Sequence, residues 1–380
     1  MRKWRRALLP ALAGVALAVA SPRPEAGVEW RMVRPDRAAS FPADHWAQPG
    51  FKTEWWYFTG HLESAGEPRR RFGYQFTFFR IGLLPERSDL ESDWAATDLI
   101  MGHAAISDLD SGVHRFSELV YRAVPMLGGF NPHPEPVIAW SRAPAGTDGL
   151  WTLIWNGDAF DLAMKDDAGG FGMRLSTRPG KPAVLQGPGG YSRKADEPGR
   201  ASRYHSFTRL RTEGVLSLDG EDLPVGGQSW MDKESGSSQL AEHQVGWDWF
   251  GLQLDDGREL MLYLLRDATG ATDFAGGTLI APSGETRYLE REDLAVDVGT
   301  TWTSPETGAT YPAAWTLRVP SEDLRLDVRP EIADQENRGR LSGGLFYWEG
   351  AVAVRDASGA PVGRGYVELT GYGTDNRPAI

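Results

Sequence analysis

The sequence has no cysteine and little histidine. Without cysteine, the 380-residue chain cannot form disulfide bonds or thiolate metal sites and has no cysteine nucleophile. Its seven histidines include no HExxH motif and no closely spaced pair, so the sequence predicts neither a metal site nor a cofactor. A Gly-x-Ser-x-Gly motif is also missing, which argues against an ordinary serine hydrolase.

Positive charge is scarce as well, since 40 Lys and Arg face 52 Asp and Glu and the formal net charge is −12. A protein with this charge is poorly suited to bind nucleic acid or an anionic membrane surface. The 15 Trp, 15 Phe and 11 Tyr exclude a disordered chain, because so much aromatic surface needs burial. The composition therefore predicts an acidic, turn-rich globular protein whose main partner is not a nucleic acid.

Long apolar runs are confined to the N-terminus. Four basic residues among the first six precede an apolar stretch, Leu8 to Val19, that is too short to span a bilayer. Ala18-Val19-Ala20 then provides the small-x-small pattern of a cleavage site. We expect residues 1–20 to be a signal peptide, and the mature protein to be periplasmic or secreted without a stable membrane span.

The rest of the chain alternates short apolar runs with turn residues, among them 45 Gly and 25 Pro. In Arg71 to Phe79, aromatic residues alternate with small or polar ones, which is the period of a β-strand. The aromatic run Glu54 to His61 precedes it, and the pair predicts a hairpin. Asn156-Gly157 and Asp256-Gly257 mark two further hairpin turns. The pattern predicts an all-β fold.

Helical periodicity is nearly missing, and a single modest helix is expected at most, at 85–99 or 331–338. The stretch from Gln186 to Ser202 is rich in Gly, Pro and charge and is the best linker candidate. It divides the chain into an N-terminal domain, 28–195, and a C-terminal domain, 200–380. Short strands without helical crossovers predict two antiparallel β-barrel domains packed together.

Several motifs, taken together in this order, resemble the AttH/CrtC family: Glu54–Gly60, Gly102–Asp108, Ser229–Glu234, Gly246–Phe250, Tyr347–Gly350 and Gly365–Tyr372. They spread over about residues 50–373 and so cover nearly the whole mature chain. The family contains lipocalin-like proteins and carotenoid 1,2-hydratases, and many members are described only as predicted secreted hydrolases. The resemblance implies two lipocalin-like barrels with the ligand between and inside them.

The hydratase chemistry that the resemblance implies needs a strong acid in a dry pocket. The enzyme must protonate an isolated carbon–carbon double bond, and water must capture the tertiary cation. A buried carboxylic acid supplies such a proton, and a Trp face stabilises a cation. Because Trp230 and Asp232 alternate along a strand, they share one face.

We therefore expect Asp232 to be the proton donor and Trp230 to stabilise the cation. His205 is expected to orient or reprotonate the acid, or to activate the water. Structural roles remain the alternative for each of these three residues: a core Trp, a capping or turn carboxylate, and a hydrogen-bonded strand histidine.

Six further residues are candidates for ligand contact: Tyr204, Trp247, Trp249, Glu54, Trp56 and His103. For the two tryptophans a plain core position is the alternative. Glu54 shares a strand face with Trp56, so it either lines the pocket or forms a salt bridge to an arginine such as Arg80. His103 lies in an apolar segment, where a core role is the alternative.

Two further residues, each next to a motif residue in the sequence, complete the set of candidates. Glu349, next to Trp348, is expected to be structural. Lys233 follows Asp232 at a position where the family pattern often has histidine.

Three functions fit the sequence. The first is an exported protein that binds a long apolar ligand, an isoprenoid or lipid, and hydrates it. The second is a non-enzymatic lipid carrier or chaperone of the cell envelope. An enzyme predicts Asp232 buried beside Trp230 and a second polar group at a dead-end pocket, whereas a carrier predicts a smooth apolar tunnel with Asp232 in solvent or in a salt bridge. A third function, a protein-binding β-sandwich, predicts no cavity of lipid size.

Overall fold

The computed structural model describes residues 29–86, 91–373 and 376–378. The expected signal peptide, residues 1–20, lies outside the described residues. Within these ranges the chain is nearly all β, with short 3-10 turns at Ala43–His45, Pro188–Gly190, Arg291–Asp293 and Pro320–Glu322. No helix in the described ranges is long and apolar enough to cross a membrane.

The first sheet contains thirteen strands of the described chain. They are β1 (Thr53–Ser64), β2 (Arg71–Gly82), β3 (Asp98–Asp108), β4 (Val113–Arg122), β5 (Gly128–Phe130), β6 (Val137–Arg142), β7 (Leu150–Trp155), β8 (Phe160–Asp166), β9 (Phe171–Pro179), β10 (Val184–Leu185), β11 (Tyr191–Arg193), β12 (Ala201–Leu218) and β13 (Glu221–Gly236). Their order is β4-β3-β2-β1-β13-β12-β9-β8-β7-β6-β5, and β10 and β11 also pair with β12.

This sheet curls into a nearly closed barrel. Its two ends meet through side chains, since the Tyr121 hydroxyl of β4 donates to the Ala143 carbonyl after β6 at 2.9 Å. The Ser117 hydroxyl, also on β4, donates to Asp166 of β8 at 2.6 Å. Inward-facing side chains from alternate strand positions fill the interior, among them Trp56, Phe58, Phe72, Tyr74, Phe76, Phe78 and Trp151. The interior of the barrel is therefore a packed hydrophobic core.

The second sheet contains ten strands of the described chain. They are β14 (Gln244–Leu254), β15 (Glu259–Asp267), β16 (Thr272–Ile280), β17 (Thr286–Glu290), β18 (Ala295–Val298), β21 (Trp315–Val319), β22 (Leu324–Pro330), β23 (Glu336–Arg338), β24 (Phe346–Arg355) and β25 (Pro361–Leu369), while β19 (Thr301–Thr303) and β20 (Thr310–Pro312) pair separately. The order is β17-β16-β15-β14-β25-β24-β22-β21-β18, with β23 on β24. Its inner face encloses a second core that includes Phe250, Trp315 and Trp348.

A third apolar cluster joins the outer faces of the two sheets. Tyr57, Tyr204 and Trp230 from the first sheet meet Trp249 and Tyr263 from the second. Strand alternation explains this arrangement, because each residue is flanked in sequence by side chains that point into a barrel core. The aromatic content of the sequence is thus divided among two interiors and one interface, and the interface contains the cavity described below.

The predicted all-β fold and its hairpins are confirmed. The turn at Asn156-Gly157 joins β7 to β8, and Asp256-Gly257 joins β14 to β15. A helix at 331–338 was a wrong expectation, because this segment forms a bend followed by β23. The described part of 85–99 contains the start of β3 and no helix.

The boundary between the two sheets differs from the division at residues 195–200. β12 and β13, which that division places in the C-terminal domain, pair with β9 and β1 in the first sheet. The chain passes to the second sheet between Gly236 and Gln244. The linker candidate of Gly, Pro and charged residues instead contains β11, which pairs with β12.

Candidate active site

The candidate active site is a cavity of about 100 Å³ between the two sheets. This volume has room for several water molecules or a small organic group. The wall is largely aromatic and includes Trp55, Tyr57, Phe79, Tyr204, Trp247, Trp249, Tyr263 and Tyr347. Four carboxyl groups also face it, those of Asp232, Glu234, Glu349 and Glu368. Acids on an aromatic wall at an interface between sheets are a typical setting for a binding or catalytic site.

Asp232, in the second half of β13, is the best-supported of these carboxylates and is only 3% exposed. Its Oδ1 accepts hydrogen bonds from Trp230 Nε1 at 2.7 Å and from the Ser206 hydroxyl. Its Oδ2 accepts one from the Tyr204 hydroxyl at 2.7 Å. All these partners are uncharged. Burial raises the pKa of Asp232 to about 7 although the three hydrogen bonds oppose it, so both protonation states are available near neutral pH.

Strand register explains how the donors converge on Asp232. Ser206 on β12 and Tyr57 on β1 are its direct cross-strand neighbours, so their side chains share its face. The Tyr204 hydroxyl in turn accepts a hydrogen bond from Trp249 Nε1 at 3.0 Å. Because Trp249 belongs to the second sheet, the hydrogen-bonded chain from Trp249 through Tyr204 to Asp232 crosses the interface.

Glu234 differs from the other cavity acids because it forms a salt bridge. Lys194 Nζ lies 2.8 Å from Glu234 Oε1, and the Ser202 hydroxyl also donates to this oxygen. The ammonium group sits 4.5 Å from the centre of the Tyr263 ring. Lys194 precedes β12 in the segment that the sequence indicated as a linker, so this segment closes one side of the cavity.

Glu349 and Glu368 form a second carboxyl pair on the opposite wall. They are direct cross-strand neighbours on β24 and β25. Glu349 is 2% exposed, and among the described residues neither its two oxygens nor the Tyr57 hydroxyl has a hydrogen-bond partner. Burial, with repulsion from Glu368, raises the pKa of Glu349 well above its usual range. Burial likewise raises the pKa of Glu368 to about 8.

The aromatic rings around these acids are arranged edge to face. Trp249 is perpendicular to Tyr57 at 5.2 Å and to Trp230 at 6.0 Å between ring centres. Such contacts fix ring positions and add to the stability of the interface. Trp55 and Trp247 are only half-buried, so they form the part of the wall nearest the surface. The rings offer π faces to an apolar or cationic group in the cavity.

The expected site residues Asp232, Tyr204, Trp247 and Trp249 thus line one cavity, and Trp230 donates to Asp232. His103 lies behind this wall. Its Nδ1 is 2.8 Å from the hydroxyl of the cavity residue Tyr347, and burial lowers the pKa of His103 to about 3. His103 is therefore neutral and contacts the cavity wall from behind, through Tyr347 and Phe79.

His205 does not reach the cavity, which corrects its expected partnership with Asp232. It lies between Tyr204 and Ser206 on β12, so alternation turns its ring to the barrel interior. There its ring centre is 4.9 Å from that of Phe41 and 5.6 Å from that of His45. Burial lowers its pKa well below the usual range, so His205 is a neutral core histidine.

Glu54 and Trp56 also face the barrel interior and not the ligand cavity. Glu54 is fully buried and forms salt bridges with Arg80 at 2.7 Å and with Lys233 at 2.5 Å. Burial alone would raise the pKa of Glu54, but Lys233 and Arg80 outweigh it and lower the pKa. The Lys233 ammonium also lies 3.9 Å from the centre of the Trp56 ring. Lys233 is therefore part of the barrel core, on the opposite face from Asp232.

Sequence reasoning missed Glu349, Glu368 and Tyr57 as cavity residues. Glu349 was expected to be structural because it adjoins the core residue Trp348. A usable signal was present, since the Asp356–Gly359 turn joins two apolar strands whose register places the two glutamates opposite each other. A pair of acids on one face of a buried hairpin indicates either a shared proton or a site.

The comparisons with known proteins agree with this fold. The family model described as AttH-like matches residues 32–372. The chain belongs to the AttH-like family. An AttH crystal structure from Nitrosomonas europaea has a TM-score of 0.79 and 32% identity to this AttH-like protein, over 90% of this chain and 99% of that one. The resemblance expected from the sequence motifs is therefore confirmed.

Two more distant matches carry reaction names. Dehydratase asqC of Emericella nidulans is 26% identical over 171 residues, 42% of this AttH-like chain and 46% of the relative. The chain thus spans about half the length of this curated relative. Kievitone hydratase from Nectria haematococca is 15% identical with a TM-score of 0.63, over 89% of this chain and 94% of that one, and shares the fold.

Proposed function

We propose that this AttH-like protein is a hydro-lyase that adds water to a carbon–carbon double bond, or removes water from an alcohol to form one, in the cavity between the sheets. One observation carries the proposal: Asp232 is a buried carboxyl with a pKa of about 7, held by three neutral donors on an aromatic wall. In this role Asp232 exchanges a proton with the substrate carbon. The similarity to a dehydratase supports a reaction of this class.

The surroundings of Asp232 meet the requirements of proton transfer to or from carbon. A general acid or base works best when its pKa lies near the working pH, because both forms are then populated. Proton transfer to carbon also needs a site from which bulk water is excluded, and Asp232 is 3% exposed. Trp249 lines the cavity and presents a ring that stabilises positive charge developing on a substrate carbon, whereas Trp230 is not part of the wall and acts through its hydrogen bond to Asp232.

The proposed substrate is an apolar molecule, an isoprenoid or a lipid. The aromatic wall recognises an apolar group, and the unpartnered Tyr57 hydroxyl and Glu349 carboxyl bind its hydroxyl or the reacting water. A cavity of about 100 Å³ holds one end of such a molecule. The remainder of a long chain leaves past the half-buried Trp55 and Trp247.

The same contacts weigh against a non-enzymatic carrier. A carrier needs a smooth apolar tunnel in which Asp232 faces solvent or is locked by a cation. Here Asp232 is buried, its partners are neutral, and a second carboxyl group faces the same cavity. Binding of a ligand without any reaction, in the experiment below, would instead support the carrier function.

Turnover of a small isoprenoid alcohol tests the proposal. We expect the purified protein to convert linalool to myrcene and water, measured by gas chromatography, and linalool to quench the fluorescence of the cavity tryptophans. Boiled protein and buffer without protein serve as controls. If linalool quenched the fluorescence but no myrcene formed, the protein would be a lipid carrier and not a hydro-lyase.

We also propose that the protein is exported and that its mature chain begins at Ser21. The basic start, the short apolar stretch and the Ala18-Val19-Ala20 pattern support this. The intact mass of protein expressed in a Gram-negative host and released from the periplasm is expected to match residues 21–380. An intact mass that includes Met1, from the cytoplasmic fraction alone, would contradict export.

A further inference from the structure

The cavity contains two acids in opposite environments. Asp232 accepts three hydrogen bonds, from Trp230, Ser206 and Tyr204. Glu349 is equally buried, yet neither of its oxygens has a well-formed hydrogen bond among the described residues, and the donor that lies beside them is the Tyr57 hydroxyl. Donors stabilise the ionised form of a carboxyl group, whereas burial without donors stabilises the neutral form. Burial raises the pKa of both groups, but the three donors make Asp232 the easier of the two to ionise.

The position of Glu368 strengthens this difference. It is the direct cross-strand neighbour of Glu349, and two like charges at this separation repel. No described cation forms a salt bridge with either glutamate, whereas the fourth cavity acid, Glu234, has Lys194. Glu349 therefore has every physical reason to hold its proton. The raised pKa of Glu349 agrees with this reading.

We infer that Glu349, held as a neutral acid against Glu368, donates the proton to a departing hydroxyl while Asp232 takes the proton from carbon, so that the site is built for elimination of water. This inference rests on the proposed hydro-lyase function and assigns its second catalytic residue and its favoured direction. It also reverses the expected role of Asp232 as a proton donor.

The step balances in atoms and electrons. The carbon–oxygen bond of the substrate breaks, and the Glu349 proton joins the leaving oxygen to give water. The proton on the adjacent carbon passes to Asp232, and the electrons of that bond form the double bond. Afterwards one proton returns from Asp232 to Glu349, and the Tyr57 hydroxyl, which neighbours both groups, lies on that route. Substrates of this class are alcohols with a hydrogen on the neighbouring carbon.

Infrared spectroscopy and turnover of two matched variants test the inference. In wild-type protein at pH 9, where Asp232 is ionised, we expect a carbonyl stretch from a protonated carboxylic acid that shifts in deuterium oxide. Glu349→Gln is expected to abolish this band and to lower linalool dehydration about 10²–10⁴-fold. Glu368→Gln, which removes the neighbouring acid, is expected to keep the band, because burial still favours the neutral form of Glu349.

The inference would be overturned if the carbonyl band survived in Glu349→Gln, or if Glu349→Gln dehydrated linalool as fast as wild type. The two amide substitutions preserve side-chain shape, and thermal unfolding of each variant checks that the fold is retained. A wild-type protein that binds linalool but never dehydrates it would contradict the proposed function instead. The infrared measurement would still decide, without any substrate, whether Glu349 carries the proton.

Discussion

Replacing Asp232 with asparagine is expected to lower kcat/KM for linalool dehydration by about 10²–10⁴-fold, the range typical of losing a general acid or base. Asparagine keeps the shape of the side chain and an oxygen for the Tyr204 donor at 2.7 Å, but it cannot accept a proton from carbon. Steady-state kinetics on the purified variant measure the loss, and thermal unfolding checks that the variant is folded.

The pH dependence of kcat/KM shows whether Asp232 acts as a base or as an acid. Burial raises the pKa of Asp232 to about 7, so the group is protonated and inactive as a base below that pH. We expect kcat/KM of the wild type to rise with pH up to about 7 and then level off, as long as Glu349 keeps its proton. A profile that instead falls through pH 7 would make Asp232 the acid and the reaction a hydration.

His205→Leu is the matched control for Asp232→Asn. His205 was expected to be catalytic, but although it lies between Tyr204 and Ser206 on β12, its ring points into the barrel core. Its buried Nε2 has no hydrogen-bond partner among the described residues, so leucine removes no contact of that nitrogen. Activity near the wild-type level is expected, and a loss as large as that of Asp232→Asn would contradict the assignment.

Replacing Lys233 with methionine is expected to destabilise the protein by about 3–5 kcal/mol, because it leaves a buried carboxylate short of a cation. Lys233 Nζ is 2.5 Å from Glu54 Oε2, and both side chains are nearly or fully buried. Arg80 and the Gln48 amide remain beside Glu54 but do not replace the lost charge. Urea unfolding followed by tryptophan fluorescence measures the change in free energy of unfolding.

Arg174→Met provides the comparison for Lys233→Met. Arg174 pairs with Asp222 across 3.3 Å, but both side chains are more than 60% exposed, so a loss of only about 0–1 kcal/mol is expected.

Activity per folded Lys233→Met molecule should stay close to wild type, since Lys233 faces away from Asp232. Full stability combined with lost activity would make Lys233 a cavity residue and contradict the account.

Much of the fold could be predicted from local patterns. The alternation in Arg71 to Phe79 fixed which aromatic residues enter the barrel, and Asp256-Gly257 marked a hairpin. The sheet boundary could not be read in this way. β13 joins the first sheet because it pairs with β1, about 170 residues earlier in the chain, and no local composition encodes such a pairing.

The candidate site was also predictable only in part. Trp230 and Asp232 were predictable together, because residues two apart in a strand share a face whatever the topology. The same rule applied to Lys233 and His205 would have turned them away from Asp232, once it was known which face meets the second sheet. Glu349 needed that tertiary knowledge, since only packing of the two sheets brings its strand opposite Asp232.

Oxygen exchange between water and a tertiary alcohol tests the central claim most directly. Linalool is incubated with the protein in oxygen-18 water, and the label in recovered linalool is followed by mass spectrometry. Reversible removal and return of water at the Asp232 cavity predicts label with wild-type protein and with Lys233→Met, and little with Asp232→Asn. Equal label with Asp232→Asn and wild type, or none with wild type, would contradict the account.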